Sequence, residues 1–244
     1  MAEKESTITL PIAEVFTSVH GEGFWAGTPM TFVRLAGCTV GKMVGQGRTG
    51  DFELLPILPT GRKASQCTTF DGRTFPCDTD YSLTAQLSVE KIISLIPNHI
   101  KHICITGGEP LMHAERLKPL VSTLILDGLQ VHFETSGTID PPVGWKTTRH
   151  IWWACSPKAN YLPFFIQRIA DEIRVMVDQD IMIEDIAKLL NGVKSSTHIY
   201  FAPLSRQDNV MEFDPLSMQN AMKLVENFPG SRISIQMHKV LGVR

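Results

Sequence analysis

The chain has 244 residues, 43% hydrophobic and 20% charged, with a formal net charge of −2. This is a globular composition with material for one large domain or two small ones, and it gives no electrostatic footprint for nucleic acid or an anionic membrane. No apolar run approaches the roughly 18 residues that a membrane helix needs. The N-terminus, MAEKESTITLPIAEVF, lacks the apolar core of a secretory signal, so a cytoplasmic protein is expected. In chain order, residues 30–36 (MTFVRLA) read as a strand. Residues 37–80 carry little periodicity and much Gly, Thr and Pro. Ser88 is placed to cap a helix over VEKIISLI. A strand at 102–106 (HICIT) ends in Gly107-Gly108. A helix over 114–127 has Leu117, Leu120, Val121, Leu124 and Ile125 at helical spacing, with Gly128 as its stop. Strands follow at 130–135, 150–155, 171–177 and 198–202, helices at 183–190 and 215–227, and a closing strand at 232–237. Apolar strands alternating with amphipathic helices indicate an α/β protein with a mainly parallel sheet. Periodicity leaves an open doubly wound sheet and a partial barrel as alternatives. Both place ligands at the C-terminal ends of the strands.

Conspicuous polar groups fall at those ends: TGGEP at 106–110, ETSG at 134–137, SPK at 156–158 and APLS at 202–205. Two adjacent glycines let a backbone approach a ligand closely, or simply turn from strand to helix, in which case Glu109 is a solvated loop residue. The five cysteines form no evident disulfide framework, being odd in number in a chain without an export signal. Cys104 and Cys155 sit between apolar strand neighbours and read as core. Cys38, Cys67 and Cys77 lie in the irregular segment, separated by 28 and nine residues, which fits neither a zinc ribbon nor a thioredoxin motif. Three loop thiolates suit a four-iron cluster with one open iron, or a zinc site completed by a histidine such as His102 or His113.

Taken together, GTPMTFVRLAGC, CDTDY, ITGGEP, ETSG, CSPK and QMHKVLG, in this order, resemble the 7-carboxy-7-deazaguanine synthases, which are radical S-adenosylmethionine (SAM) enzymes. The resemblance runs from Glu14 to the end, except for the insert. It implies an α/β fold that is a partial (βα)6 barrel of the radical SAM type. It implies a single domain over 1–244, with a long insert at about 39–76 in the cluster-binding loop. It implies conversion of 6-carboxy-5,6,7,8-tetrahydropterin to 7-carboxy-7-deazaguanine with loss of ammonia, started by a 5′-deoxyadenosyl radical. The implied cofactors are a 4Fe-4S cluster on Cys38, Cys67 and Cys77, SAM, and Mg2+ at Thr79. SAM contacts fall by motif on Gly108, on Ser156, Pro157 and Lys158, and on Ala202, Pro203, Leu204 and Ser205. Substrate contacts fall on Val19, His20, Gly21, Arg34, Thr106 and the C-terminal Arg244, with Arg34 clamping a carboxylate through its guanidinium fork. A homodimer and an electron donor such as flavodoxin are implied partners. Lys42, Arg48, Arg62 and Lys63 of the insert are suited to an acidic donor.

Three departures from the family pattern stand out. His20 replaces the usual Gln of QGEG. The 202–205 segment lacks the family's Gln. Both gaps between the three cysteines are long where CxxxCxxC is usual, although lengthening a loop is entropically mild, at about 0.6 kcal/mol per doubling. Two other functions share some of these features. A radical SAM activating enzyme for a glycyl-radical protein would need the cluster but neither Arg34 nor Thr79. A non-enzymatic zinc-stabilised module would use the three cysteines structurally.

Overall fold

The computed structural model describes residues 8–40, 66–206, 209 and 212–242. Its main sheet comprises β1 (Thr9–Val19), β2 (Pro29–Leu35), β5 (Ala85–Ser88), β6 (His102–Gly107), β7 (Gln130–Thr135), β8 (Ile151–Cys155), β9 (Glu172–Val177), β10 (His198–Pro203) and β11 (Arg232–Ile233). The spatial order is β11-β10-β9-β8-β7-β6-β2-β1-β5. Every neighbouring pair from β2 to β11 is parallel. The strand β1 runs antiparallel to both β2 and β5. The protein is therefore a mixed α/β fold built on a large, mainly parallel sheet. A hairpin of β3 (Gln66–Thr68) and β4 (Thr74–Pro76) stands apart.

The helices form where their caps and stripes dictate. Ser88 accepts from the Lys91 amide at the start of α1 (Val89–Ser94). The helix α2 (Ala114–Leu126) buries Leu117, Leu120, Val121 and Leu124, and the chain leaves it through Gly128 at φ +74°. A shorter helix, α3 (Ile183–Leu189), follows β9. Asp214 caps α4 (Pro215–Asn227), accepting from the Ser217 amide. The expected closing strand at 232–237 is a strand only over Arg232–Ile233. Ser234 turns inward, with its amide bonded to the Phe201 carbonyl and its hydroxyl accepting from the Gly23 amide, and α5 (Met237–Leu241) follows.

Strand parity divides the sheet into two faces. Val33, Leu35, Ile103, Ile105, Val131, Phe133, Trp153, Ile173, Val175 and Phe201 all pack into one apolar core beneath the helices. Their neighbours point the other way, as period-2 strands require. In β1 a register shift between Ile12 and Glu14 inserts Ala13, so Ile12 pairs with Leu35 while Glu14 pairs with Arg34. This bulge keeps Ile12 in the core and turns Glu14 and Phe16 to the opposite face.

The sheet is open, since β5 and β11 end it without pairing to each other. It nevertheless curves, because side chains from β1, β2, β6, β7 and β9 meet around one cavity. Near the N-terminal ends of the parallel strands the curve is plugged by rings. Phe24 and Trp25, from the β1–β2 loop, pack on Trp152, His102, His132 and His198 at centroid distances of 4.5–5.6 Å. Among the described residues no helix is long and apolar enough to cross a membrane.

Candidate active site

The cavity is about 700 Å³, within the range of small-molecule sites. It opens at the C-terminal ends of the parallel strands, where Thr106, Gly107, Gly108, Ser136, Ser156, Lys158, Leu204 and Ser205 line it. Cys38, Cys67 and Cys77 line the same mouth, and none of them is in a disulfide. Cys38 is buried with Tyr81, and Cys77 packs against them. Burial, and then the neighbouring Cys67, push the Cys77 thiol up to about 11. Cys104 and Cys155 are fully buried, as expected of core cysteines.

The glycine pair at the end of β6 is dictated by packing against β2. Gly107 sits at φ +146°, and a Cβ there would stand 2.4 Å from the Leu35 carbonyl oxygen. A Cβ on Gly108 would stand 2.3 Å from the Cys38 Cβ. The turn thus presses bare backbone against the first cysteine. Glu109 is not a solvated loop residue. It is fully buried and accepts from the amides of Leu111 and Ser136 and the hydroxyls of Thr135 and Ser136. It ties the glycine turn to the end of β7, although burial raises its pKa.

One wall belongs to β1 and β2. Phe16 and Phe32 stack at 5.0 Å, the His20 ring lies parallel to Phe32 at 5.9 Å, and the Arg34 guanidinium covers Phe16. The floor is ionic. Arg174, with a side chain 5% exposed, pairs with Glu22 at 2.9 Å and with Glu134, while Glu172 Oε1 stands 2.9 Å from its Nε. His20 Nδ1 faces the Glu22 carbonyl at 2.7 Å and Nε2 faces Glu134 Oε1 at 2.9 Å, so both ring nitrogens are engaged within the protein. Burial alone would raise Glu134, but Arg174 and His20 hold it down to about 2. His20, Cys104 and Glu134 offer ligand atoms within 4.8 Å of one another. Two of the three are already bonded in this network, and burial pushes the Cys104 thiol far above its ordinary range, so the group is a closed ionic knot.

The segment 234–239 stitches the rim. Gln236 donates to Glu22 at 2.8 Å, and the Met237 amide bonds the Gly21 carbonyl. Lys239 reaches Ser205 at 2.8 Å and Asp78 at 2.9 Å. The side chain of Thr79 lies beside Asp78, and both line the cavity with Asp80.

No family model matches the chain. The 7-carboxy-7-deazaguanine synthase of Synechocystis sp. is 31% identical to it over 241 residues, which is 98% of this chain and 95% of that one. The chain belongs to the 7-carboxy-7-deazaguanine synthase family. The 7-carboxy-7-deazaguanine synthase of Escherichia coli is 28% identical, over 96% of this chain and 98% of its own. The crystal structure of QueE from Escherichia coli matches with a TM-score of 0.64 at 27% identity, covering 94% of this chain and 95% of that one.

Of the residues that the resemblance to this synthase family singles out, Val19, His20, Gly21, Arg34, Thr79, Thr106, Gly108, Ser156, Lys158, Leu204 and Ser205 share the cavity with the three thiols. Pro157, Ala202 and Pro203 are buried beside it and do not line it. Arg244, Lys42, Arg48, Arg62 and Lys63 lie outside the described residues. His102 and His113, candidates for a fourth zinc ligand, do not line the cavity. His102 bonds His132 in the ring plug, and His113 bonds the Ala36 carbonyl. The sequence reading left Glu22, Arg174, Gln236 and Lys239 without a role. The one available signal was parity: a charged residue between apolar neighbours in DEIRVMV has to face an interior.

Proposed function

We propose that this protein converts 6-carboxy-5,6,7,8-tetrahydropterin to 7-carboxy-7-deazaguanine, with loss of ammonia, as a radical SAM enzyme of queuosine-type 7-deazapurine biosynthesis. We further propose that the curved sheet is the radical SAM partial (βα)6 barrel. One observation supports this reading above the others. Three cysteines far apart in sequence and a bare glycine turn meet at the mouth of a cavity whose wall carries Arg34 and whose floor carries paired carboxylates.

Cys38, Cys67 and Cys77 fit a 4Fe-4S cluster. They are three sulfur donors at one opening, and His102 and His113, the two expected candidates for a fourth protein ligand, lie away from that opening. The raised pKa of Cys77 means that loading releases a proton from that thiol. When bound, the cluster and SAM supply hydrogen-atom abstraction, and the protein supplies position and shielding. Gly108 offers backbone without a side chain beside Cys38, suited to a SAM amino group. Lys158, 3.0 Å from the Ser156 hydroxyl and over the Phe75 ring, faces the same opening. Arg34 presents a fork suited to the substrate carboxylate. Asp78 and Thr79 provide the hard oxygen donors that Mg2+ prefers.

The test is anaerobic incubation of iron-loaded protein with SAM, a reductant, Mg2+ and the carboxypterin, followed by mass spectrometry. A deazapurine product is expected. Full iron loading with SAM cleavage but no deazapurine overturns the substrate assignment, and colourless protein that holds only zinc overturns the cofactor assignment.

A further inference from the structure

The ionic floor contains one cation that does more than balance charge. Glu22 comes from the β1–β2 loop and Glu134 from β7, and both line the cavity. Arg174 bridges them from β9, with Nη1 on Glu22 Oε2 at 2.9 Å and Nη2 on Glu134 Oε2. The remaining oxygens are held from outside, Glu22 Oε1 by Gln236 and Glu134 Oε1 by His20. A carboxylate oxygen has two lone-pair sites, so after these bonds each oxygen can still accept once more. The result is two anionic acceptors at a fixed spacing, locked by a planar fork that cannot rotate away. Burial opposes a charge on Arg174, yet Glu134, Glu172 and Glu22 hold it firmly protonated.

Two fixed acceptors side by side match a ligand edge made of adjacent N–H donors, such as the 2-amino and ring N–H of a pterin. They repel the same edge when a carbonyl replaces the amino group. The geometry points to Arg174 as the positioning residue that sets preference for a 2-amino heterocycle, acting through Glu22 and Glu134. This rests on the pterin reading above. His20, with both nitrogens spent inside the protein, serves the same acceptor pair and has no polar ring atom left for a ligand.

The experiment uses the iron-loaded protein and two fluorescent probes, pterin-6-carboxylate and its 2-oxo counterpart lumazine-6-carboxylate. Affinities are read by fluorescence titration for wild type, Arg174→Met and Arg174→Lys. Wild type is expected to favour the pterin by at least about tenfold. Arg174→Met is expected to weaken pterin binding about 10–100-fold, while lumazine binding moves less than about threefold, so the preference disappears. Arg174→Lys keeps the charge without the fork and is expected to recover part of the preference. A wild type without preference, a Met variant that keeps it, or a parallel loss of both ligands overturns the inference. Iron content and thermal melting report folding. If the Met variant does not fold, the Lys variant decides, and an unchanged preference there overturns the inference. A wild type that makes no deazapurine but shows an Arg174-dependent preference sinks the proposed reaction and leaves this inference standing. Product formation with an Arg174-independent preference does the reverse.

Discussion

The two faces of the main sheet come from the same strands and obey opposite rules. Toward the helices, Ile103, Val131, Phe133, Trp153, Ile173 and Val175 form a dry apolar layer. One residue along, Cys104, His132, Glu134, Trp152, Glu172 and Arg174 face the inside of the curve. A parallel sheet covered on both faces usually reads as a continuous apolar run. Here the inner face is ionic, and the charges are made tolerable by pairing with one another. The difference separates two jobs: the outer face holds the sheet together, and the inner face lines the cavity. Substitutions on the two faces should therefore fail in different assays.

The largest expected effect is at the cavity mouth. Cys77→Ala removes one of three converging sulfurs without touching the apolar layer. Iron content should fall and turnover should drop by more than about 1,000-fold, with thermal melting of the metal-free protein little changed. Full turnover in this variant would show that the ligand set is wrong. On the outer face the expectation reverses. Trp153 is buried between Phe133 and Phe165, at ring distances of 4.7 and 5.7 Å. Trp153→Ala should cost about 3–5 kcal/mol in denaturant titrations, with the substrate KM of the surviving folded fraction unchanged. A shifted KM with unchanged stability would merge the two faces into one.

The outer face was legible in the sequence because it needs only local information. Val, Ile, Phe and Trp in apolar runs, with a cap at Ser88 and a stop at Gly128, place β2, β6 to β10 and α1 to α4. Other elements escaped, or ended short of their expected bounds, for physical reasons. In β1 the run is broken by Pro11 and by the bulge at Ala13, which shifts the parity that a pattern search relies on. The strand at 232–237 ends early because Ser234 bonds to Gly23, 211 residues away in sequence. The β3–β4 hairpin is three residues per strand, too short for periodicity to register. Much of the inner face escaped for a different reason. Glu22 and Arg174 are 152 residues apart, and parity in DEIRVMV points Arg174 inward without naming its partner. The loop cysteines and the glycine pair stood out by themselves, while iron over zinc, SAM at Gly108 and a carboxylate at Arg34 were read only from the order of the motifs around them. That Gly108 must be glycine follows from Cys38, which the fold brings against it.

Glu109 tests the seam between the faces. It joins the glycine turn to the end of β7 through two amides and two hydroxyls, fully buried. Glu109→Ala removes the acceptor of both amides and of the Thr135 hydroxyl, while the Ser136 hydroxyl keeps Thr138 at 2.8 Å, and should cost about 2–3 kcal/mol. Because the turn also presses on Cys38, iron retention should fall with it, a coupling that neither Trp153→Ala nor a surface change such as Lys118→Ala should show. Destabilisation with full iron retention would mean that the turn is held by other contacts.

The smallest effect expected is a slope. His132 lies on the inner face in the ring plug, bonded to His102 at 2.9 Å and facing Trp25, His20 and Glu134. Burial, then the nearby His102 and His20, lower its pKa from 6.5 to about 3. The unfolded chain therefore binds a proton at this position over a range where the folded protein does not. Its contribution to stability is complete above pH 6.5 and is lost as the pH falls from there toward 3. Glu134, depressed to about 2, acts in the same direction only below its ordinary 4.5. Between pH 6.5 and 4.5 the slope also carries His102 and His113, lowered by burial, and the opposing carboxyls of Glu109, Glu172 and Asp171, raised by burial, so the His132 contribution is read as the difference between variant and wild type. His132→Phe keeps the ring packing and removes the titration. Its melting temperature should fall less steeply than wild type across that interval. An unchanged slope would mean that water reaches the plug and that the inner face is wet at its narrow end as well as at its mouth.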